Sequence, residues 1–104
     1  MYFLVTAYDG KDSEAPARRA GARELHLAGV QKCVEERKHL FGAAITDDDG
    51  NMTGSVLVVD YPSKEALMGE WLDHEPYVLG NVWQEIDIQP CKIPDFFLEQ
   101  GRLP

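Results

Sequence analysis

The sequence predicts an α+β fold in which two helices cover one face of a four-stranded antiparallel sheet. Four segments rich in β-branched, aromatic or alternating residues are separated by two segments of helix formers, in the order βαββαβ. The chain has 104 residues, of which 44% are hydrophobic, and this is enough for one domain with one core.

The first half of the chain predicts a strand and a long helix. Residues 1–8 alternate in the manner of a strand and end at the turn pair Asp9-Gly10. Residues 17–36 are good helix formers, with Pro16 in the first turn and Ser13 as the candidate cap. The face predicted to contact the sheet carries residues at helical spacing, namely Arg23, Leu27, Val30 and Val34.

The second half predicts a hairpin, a second helix and a last strand. Residues 39–46 and 52–59 form two strands around a polar turn that contains three aspartates. Ser63 caps a helix that continues to about Leu72, and Pro76 permits a short helical turn over residues 75–79. Residues 82–88 form the fourth strand, and the chain from Pro90 onward is irregular. This order of elements is the ferredoxin-like arrangement.

Both faces of the first strand are largely apolar, since the odd-numbered and the even-numbered residues of 2–8 are both rich in apolar side chains. A large apolar face left in water is unfavourable and marks an interaction surface. We therefore expect a second copy of the chain to cover the face that the helices leave open, as a twofold homodimer.

Charge and composition exclude several function classes. The formal net charge of −8 repels phosphate backbones and anionic lipids, so neither nucleic acid nor membrane is an expected partner. No segment is apolar for the roughly 20 residues that span a bilayer, and no targeting segment is apparent. Cys33 and Cys91 are expected to be reduced thiols in a cytoplasmic protein, and the histidine spacing predicts no metal site.

His26 is the most informative single residue, because it lies in mid-helix at the edge of the apolar stripe. One interpretation is a buried histidine that is satisfied by a main-chain carbonyl. The other is a general base, since an ordinary imidazole titrates near neutral pH, at about 6.5.

Two further segments carry polar groups. Residues 73–77 follow an apolar helix and precede a proline-fixed turn, so that a carboxylate there can orient an imidazole; the alternative is a solvated helix end. Gly54 interrupts the third strand, which indicates a bulge or a close backbone approach, and the neighbouring Ser55 is a candidate ligand-binding hydroxyl.

Taken together, these motifs resemble the YciI-like (YCII-related) family of small cytoplasmic proteins. The resemblance extends from Met1 to about Ile93, which gives a domain over residues 1–93 and a C-terminal extension over residues 94–104. The segments that carry it are Tyr2-Phe3-Leu4-Val5, Arg23-Glu24-Leu25-His26-Leu27, Thr53-Gly54-Ser55 and Asp73-His74-Glu75-Pro76-Tyr77-Val78, followed by Gly80 and Val82.

The resemblance implies a homodimer of the dimeric α/β-barrel type and a histidine–aspartate pocket. It makes His26 the base and the acidic residue before Pro76 its partner. The family typically has aspartate there, whereas this chain has Glu75, so Asp73 is the alternative acid. The chain also has Gly42-Ala43 where the second strand often ends in Gly-Pro. The apolar residues of the extension are expected to pack on the dimer partner.

The favoured hypothesis is a cofactor-free enzyme that moves protons on a small organic substrate. His26 acts as general acid/base, Glu75 or Asp73 orients it, and Arg23, Ser55 and Tyr77 bind the substrate. Elimination, isomerisation or dehydrohalogenation next to a carbonyl or phenol suits these groups, and one family member is thought to be a dehydrochlorinase.

Two alternatives remain. One is a non-catalytic module of this family that binds a small molecule or a protein. The other is a cofactor-free monooxygenase that acts on polycyclic phenols, for which Phe41, Trp71 and Trp83 would line a larger apolar pocket, although core packing is the more ordinary role of such residues.

Overall fold

The computed structural model describes residues 1–99 and contains one four-stranded sheet. The strands are β1 (Tyr2–Asp9), β2 (His39–Thr46), β3 (Met52–Asp60) and β4 (Trp83–Cys91). Their order in the sheet is β2-β3-β1-β4, and every neighbouring pair is antiparallel. The predicted α+β, ferredoxin-like fold is therefore confirmed.

Four α-helices connect and follow these strands. They are α1 (Ala15–Glu35), α2 (Lys64–Glu70), α3 (Pro76–Leu79) and α4 (Asp95–Glu99), and a 3₁₀ turn over Leu72–His74 separates α2 from α3. Among residues 1–99, none of these helices combines the length and the apolar character that a bilayer crossing requires.

Several predicted boundaries differ from the observed ones. Ser13 does not cap α1, because Glu14 occupies the capping position and no side chain there accepts a hydrogen bond. Ser63 does cap α2, since its Oγ accepts the Ala66 backbone N–H at 3.0 Å. The second helix ends at Glu70, two residues early, because the chain tightens into the 3₁₀ turn.

The last strand and the tail also differ from the prediction. β4 continues to Cys91, beyond the predicted end at residue 88, because its backbone pairs with β1 as far as Tyr2. Residues 95–99 form the short helix α4 where an irregular tail was expected. Phe96 and Phe97 are exposed there, and the predicted extension continues beyond the described residues.

The core lies between the sheet and the helices. Phe3, Val5 and Ala7 of β1 are almost fully buried in one cluster with residues of α2, α3 and the 3₁₀ turn, as the alternation of strand side chains requires. The cluster comprises Phe3, Val5, Ala7, Leu57, Val59, Tyr61, Leu67, Trp71, Leu72, Tyr77, Val82 and Trp83.

The buried face of α1 is not the face that the apolar spacing predicted. Arg19 and His26 are buried, whereas Arg23 is exposed and Leu27 is 48% exposed. The periodicity was misleading because two polar side chains find buried partners below the helix and replace apolar residues in its inner stripe. Val30 alone belongs to both the predicted stripe and the observed contact with the core.

The opposite face of the sheet is apolar over β1, β3 and β2, whereas β4 contributes the acidic residues Glu85 and Asp87 to it. Leu4 pairs with Val58 across β1 and β3, and Val58 pairs in turn with Phe41 of β2. Leu4 and Val58 are partly buried within the single chain, and Phe41 is 50% exposed. We call this surface the outer sheet face.

Candidate functional site

The candidate active site lies where the middle of α1 faces the start of α3. His26 is eleven residues into α1 and points toward the chain that links the 3₁₀ turn to α3. Glu75 is the capping residue of α3, and Pro76 occupies the first helical position, where its missing N–H costs nothing. The proline-fixed helix start therefore directs the Glu75 side chain inward.

The Glu75 carboxylate receives hydrogen bonds from three donors. Its Oε1 lies 2.5 Å from Nδ1 of His26 and 3.1 Å from the backbone N–H of Tyr77. Its Oε2 accepts the indole N–H of Trp71 at 2.9 Å. An ionised carboxylate only accepts hydrogen bonds, so Nδ1 of His26 carries the proton and Nε2 is the nitrogen left to exchange one.

Aromatic packing fixes the orientation of the imidazole. The His26 ring stacks on Tyr77, with 3.8 Å between centroids and 10° between planes. It lies nearly perpendicular to the Trp83 ring, with 5.6 Å between centroids. His26 is only 8% exposed. The ring is therefore held by contacts on more than one side and does not need substrate to become ordered.

A second polar network lies beside the first. Nη1 of Arg19 donates to both carboxylate oxygens of Asp9, at 2.9 and 3.0 Å, and Nη2 donates to Oγ of Ser55 at 3.1 Å. The Trp83 indole N–H also donates to Ser55 Oγ, at 3.1 Å. Because Ser55 Oγ accepts two hydrogen bonds, its own hydroxyl proton remains available to a ligand.

These two networks border one cavity of about 390 Å³ between α1 and the β2 side of the sheet. His26, Arg19, Arg23, Ser55 and Tyr77 contribute polar groups to its wall. Burial raises the pKa of Tyr77, so its phenol stays protonated at neutral pH.

The remaining wall of the cavity is apolar or small. Gly42, Ala43 and Ala44 of β2 occupy one side, and a methyl group added at Gly42 would come no closer than 3.6 Å to a neighbouring atom. The space for a ligand therefore comes partly from the small side chains of an edge strand. The other apolar residues that border the cavity are Leu27, Val30, Val34, Leu40, Phe41, Met52, Val56 and Leu57.

A second histidine, which sequence reasoning did not identify, also borders the cavity. His39 is 1% exposed, and its Nε2 lies 3.1 Å from the Tyr61 hydroxyl. Its ring lies nearly perpendicular to the Trp71 ring, with 4.5 Å between centroids. Burial lowers the pKa of His39 to about 4, so this imidazole is neutral at physiological pH. Its Nδ1 has no hydrogen-bond partner among the described residues.

Of the two acids considered for His26, the structure brings only Glu75 to the ring. Asp73 is exposed on the 3₁₀ turn, and within residues 1–99 no ion pair joins it to His26. His26 contacts a side-chain carboxylate, where one interpretation of its position expected a main-chain carbonyl.

The other predicted binding residues, Arg23, Ser55 and Tyr77, all border the cavity. Phe41 borders it too, whereas Trp71 and Trp83 belong to the buried core and only support the site. Asp9 and Arg19 were missed, because charged residues at these positions are typical of solvent-exposed faces. The described part of the chain has no cluster of three or more histidine, cysteine or acidic residues that could hold a metal ion.

The glycine that interrupts β3 has a packing role beside this site. A Cβ at Gly54 would lie 2.5 Å from the carbonyl oxygen of Ala7, so only glycine lets the two strands approach this closely. The predicted close backbone approach is therefore observed. It places Ser55 next to β1, within reach of Arg19.

Comparison with known proteins gives relatives in sequence and in structure. The model of the YCII-related domain matches residues 1–92. The proteins named YciI from Escherichia coli O6:H1 and from Shigella flexneri are each 30% identical over 98 residues, which cover 88% of this chain and 97% of theirs.

Among solved structures, 5-chloro-2-hydroxyhydroquinone dehydrochlorinase (TftG) of Burkholderia phenoliruptrix, in complex with 2,5-dihydroxybenzoquinone, superposes with a TM-score of 0.75. It is 20% identical, and the match covers 92% of this chain and 98% of that one. A protein from Agrobacterium tumefaciens has a TM-score of 0.52 and 17% identity, over 92% and 96% of the two chains. At these identities the structural likeness concerns the fold.

Proposed function

The chain belongs to the YCII-related family, and on this basis we propose that it is an enzyme that moves a proton on a small organic substrate, with His26 as general acid/base. The observation that carries the proposal is the 2.5 Å contact between His26 Nδ1 and Glu75 Oε1 at the wall of a cavity. A buried imidazole that is paired with a carboxylate and borders a cavity is the usual arrangement of a proton-transfer centre.

The proposed chemistry uses Nε2 of His26. This nitrogen takes a proton from the substrate, and the positive charge that forms on the ring is stabilised by the ionised Glu75. The same proton then returns to another substrate atom in an isomerisation, or accompanies the leaving group in an elimination. A positioned acid/base contributes roughly 10²- to 10⁴-fold in rate, and the remainder is left to substrate positioning by Arg23, Ser55 and Tyr77.

The proposed substrate is an oxygenated organic compound of about one ring. A cavity of about 390 Å³ is at the small end of ligand sites. The dehydrochlorinase with the same fold acts on a chlorinated hydroxyhydroquinone and holds a dihydroxybenzoquinone. Elimination or isomerisation next to a carbonyl or phenol is therefore the reaction class that we assign to this site. We propose no cofactor for this reaction.

A non-catalytic binding module is the second candidate. This candidate is favoured because Glu75 has a structural role that needs no catalysis: its carboxylate caps α3 and accepts a hydrogen bond from the Trp71 indole. A protein that had lost its chemistry would retain the carboxylate for these two contacts. The two candidates differ in whether His26 is needed for turnover or only for binding.

We further propose that the protein is a cytoplasmic homodimer. The outer sheet face offers an apolar surface that a second copy of the chain would cover, as in a dimeric α/β barrel. Cys33 and Cys91 are free thiols, which suits a reducing compartment.

The test of the enzymatic proposal is turnover of chlorinated hydroquinones and of muconolactone-like acids by wild-type protein and by His26→Asn. We expect wild-type turnover and a fall of at least about 100-fold in His26→Asn. The matched control is His74→Asn, which changes an exposed histidine on the 3₁₀ turn and should leave the rate unchanged. Equal rates in His26→Asn and wild type would exclude His26 from the mechanism.

A further inference from the structure

The ionisable side chains that border the cavity are mostly basic, whereas the chain as a whole is acidic. The protein carries 18 acidic and 10 basic residues, with a formal net charge of −8. Within residues 1–99, however, no aspartate or glutamate borders the cavity, whereas two arginines and two histidines do. They are Arg19, Arg23, His26 and His39. A cavity with basic walls in an acidic protein indicates selection for a ligand that carries negative charge.

Three of these four basic groups are already neutral or compensated. Asp9 compensates Arg19 through two hydrogen bonds, His26 carries no charge while its Nε2 is free to accept a proton, and burial keeps His39 uncharged at neutral pH. Arg23 differs, because no carboxylate of the described residues lies within 4.0 Å of its guanidinium. Arg23 is therefore the one charged group on the cavity wall, among the described residues, that no carboxylate contacts, and it lies on the solvent-exposed part of that wall.

A second polar group points to the same kind of ligand. Ser55 is 4% exposed and receives hydrogen bonds from Arg19 and Trp83, so its hydroxyl can only donate. The Nε–H of the buried Arg19 is a further donor, since it has no hydrogen-bond acceptor among the described residues. The inner end of the cavity thus offers donors, and a ligand oxygen is the group that accepts from them.

We propose that this cavity binds a small organic monoanion, with a carboxylate or phenolate held by Arg23, a second oxygen held by Ser55, and an apolar body between them. Leu27, Val30 and Leu57 provide the apolar contacts. This inference rests on the proposed function in one respect: it names the substrate class for the cavity in which His26 would act. A single uncompensated guanidinium suits one negative charge rather than a polyphosphate.

Arg23 lies too far from the N-terminus of α1 for the helix dipole to attract the anion. Arg23 is eight residues beyond Ala15, the first residue of α1, and at 1.5 Å per residue this is about 12 Å along the helix. The partial charge of a helix end acts within the first turn. The attraction for an anion must therefore come from side chains, and substitution can remove it.

The experiment is a titration of the ¹⁵N-labelled 104-residue chain, followed by amide chemical shifts, with three one-ring compounds of similar size: benzoate is an anion, benzamide is neutral and benzylamine is a cation. We expect benzoate to move the amide signals of β2 and Ser55 and to bind at least about fivefold more tightly than benzamide. We expect benzylamine to leave the cavity signals unchanged.

Two variants locate the charge. Arg23→Gln should weaken benzoate binding about fivefold and make it equal to benzamide binding. Arg37→Gln removes the same charge from an exposed position beyond the end of α1 and should bind benzoate as the wild type does. Equal affinity for benzoate and benzamide in the wild type, or unchanged benzoate binding in Arg23→Gln, would overturn the proposal.

Failure of this inference can be told apart from failure of the proposed function. His26→Asn should bind benzoate nearly as well as the wild type, because the anion contacts are on Arg23 and Ser55. If benzoate preference holds while His26→Asn loses no turnover, the acid/base function fails and the anion site stands. If the benzoate preference is absent while His26→Asn is inactive, the substrate is neutral and the anion site fails.

Discussion

Nδ1 of His26 and Oε1 of Glu75 lie 2.5 Å apart, although 49 positions separate the two residues in the chain. The same carboxylate caps α3 and bonds the indole of Trp71. One side chain therefore joins the middle of α1 to the start of α3. We therefore expect a change at Glu75 to affect both stability and the proposed proton transfer, and the two effects have to be measured separately.

Glu75→Gln is predicted to lower both the free energy of unfolding and the turnover. All three partners of the carboxylate donate hydrogen bonds to it. Glutamine replaces one carboxylate oxygen with an NH₂ group, which cannot accept, so at least one donor loses its acceptor. This costs about 1–3 kcal/mol of stability. The loss of negative charge beside His26 should also reduce turnover by at least about tenfold at saturating substrate.

Asp73→Asn is the matched control for Glu75→Gln. It neutralises the neighbouring acid, which is exposed and does not contact His26. Urea unfolding and steady-state rates should therefore match the wild type. A greater loss of turnover in Asp73→Asn than in Glu75→Gln would mean that the functional acid is Asp73.

Asp9→Asn is predicted to be strongly destabilising. Asp9 is the buried partner of Arg19, so the substitution leaves a guanidinium in the core with no negative charge beside it. Breaking one side of a buried ion pair costs about 3–5 kcal/mol. The measurement is the urea midpoint of unfolding.

Asp12→Asn serves as the control for this pair, because Asp12 contacts Arg18 in an exposed ion pair. Its unfolding midpoint should shift far less than that of Asp9→Asn. Equal shifts of the unfolding midpoint in both variants would show that the buried Asp9–Arg19 pair contributes no more to stability than an exposed ion pair does.

His39 is predicted to make the protein less stable as the pH falls. Its folded-state pKa of about 4 is below the ordinary value of 6.5, so the unfolded chain binds the proton first. The stability that neutral His39 contributes is complete above pH 6.5 and is lost as the pH falls from there through 4. The full effect is about 3 kcal/mol.

The check is the free energy of unfolding measured at intervals between pH 4 and 7. His39→Phe keeps a ring against Trp71 and should have a shallower slope than the wild type, since the buried titrating group is gone. His74→Asn removes an exposed histidine and should keep the wild-type slope. Identical slopes in wild type and His39→Phe would disprove the prediction.

Val58→Lys is predicted to convert a dimer into a monomer. Val58 lies on the outer sheet face, opposite Leu4 and Phe41. A lysine there would be buried without a partner if a second copy covered the face. Sedimentation at micromolar concentration should give twice the 11.7 kDa of one chain for the wild type and one chain for the variant.

Leu25→Lys is the control, because Leu25 is 69% exposed on α1, away from the outer sheet face. This variant should sediment as the wild type does. A monomeric wild type would remove the proposed interface and leave the fold as described.

The sequence predicts the sheet well because strand alternation is a local property that burial enforces. It predicts α1 less well, because the inward positions of Arg19 and His26 depend on their buried partners Asp9 and Glu75, and Glu75 is 49 positions away from His26 in the chain. The choice between Asp73 and Glu75 could not be made from the residues for the same reason. It depends on the 3₁₀ turn, which exposes Asp73 and buries Glu75.

The small residues of β2 have a consequence for how relatives could diverge. Gly42 and Ala44 form one wall of the cavity, and His26 lies on the wall formed by α1. A methyl or isopropyl group gained on β2 would reduce the size of ligand that the cavity can hold, at a position away from the imidazole and its carboxylate. Paralogues with this backbone could thus keep one reaction and sort their substrates by size, through mutations at a solvent-accessible margin of the sheet.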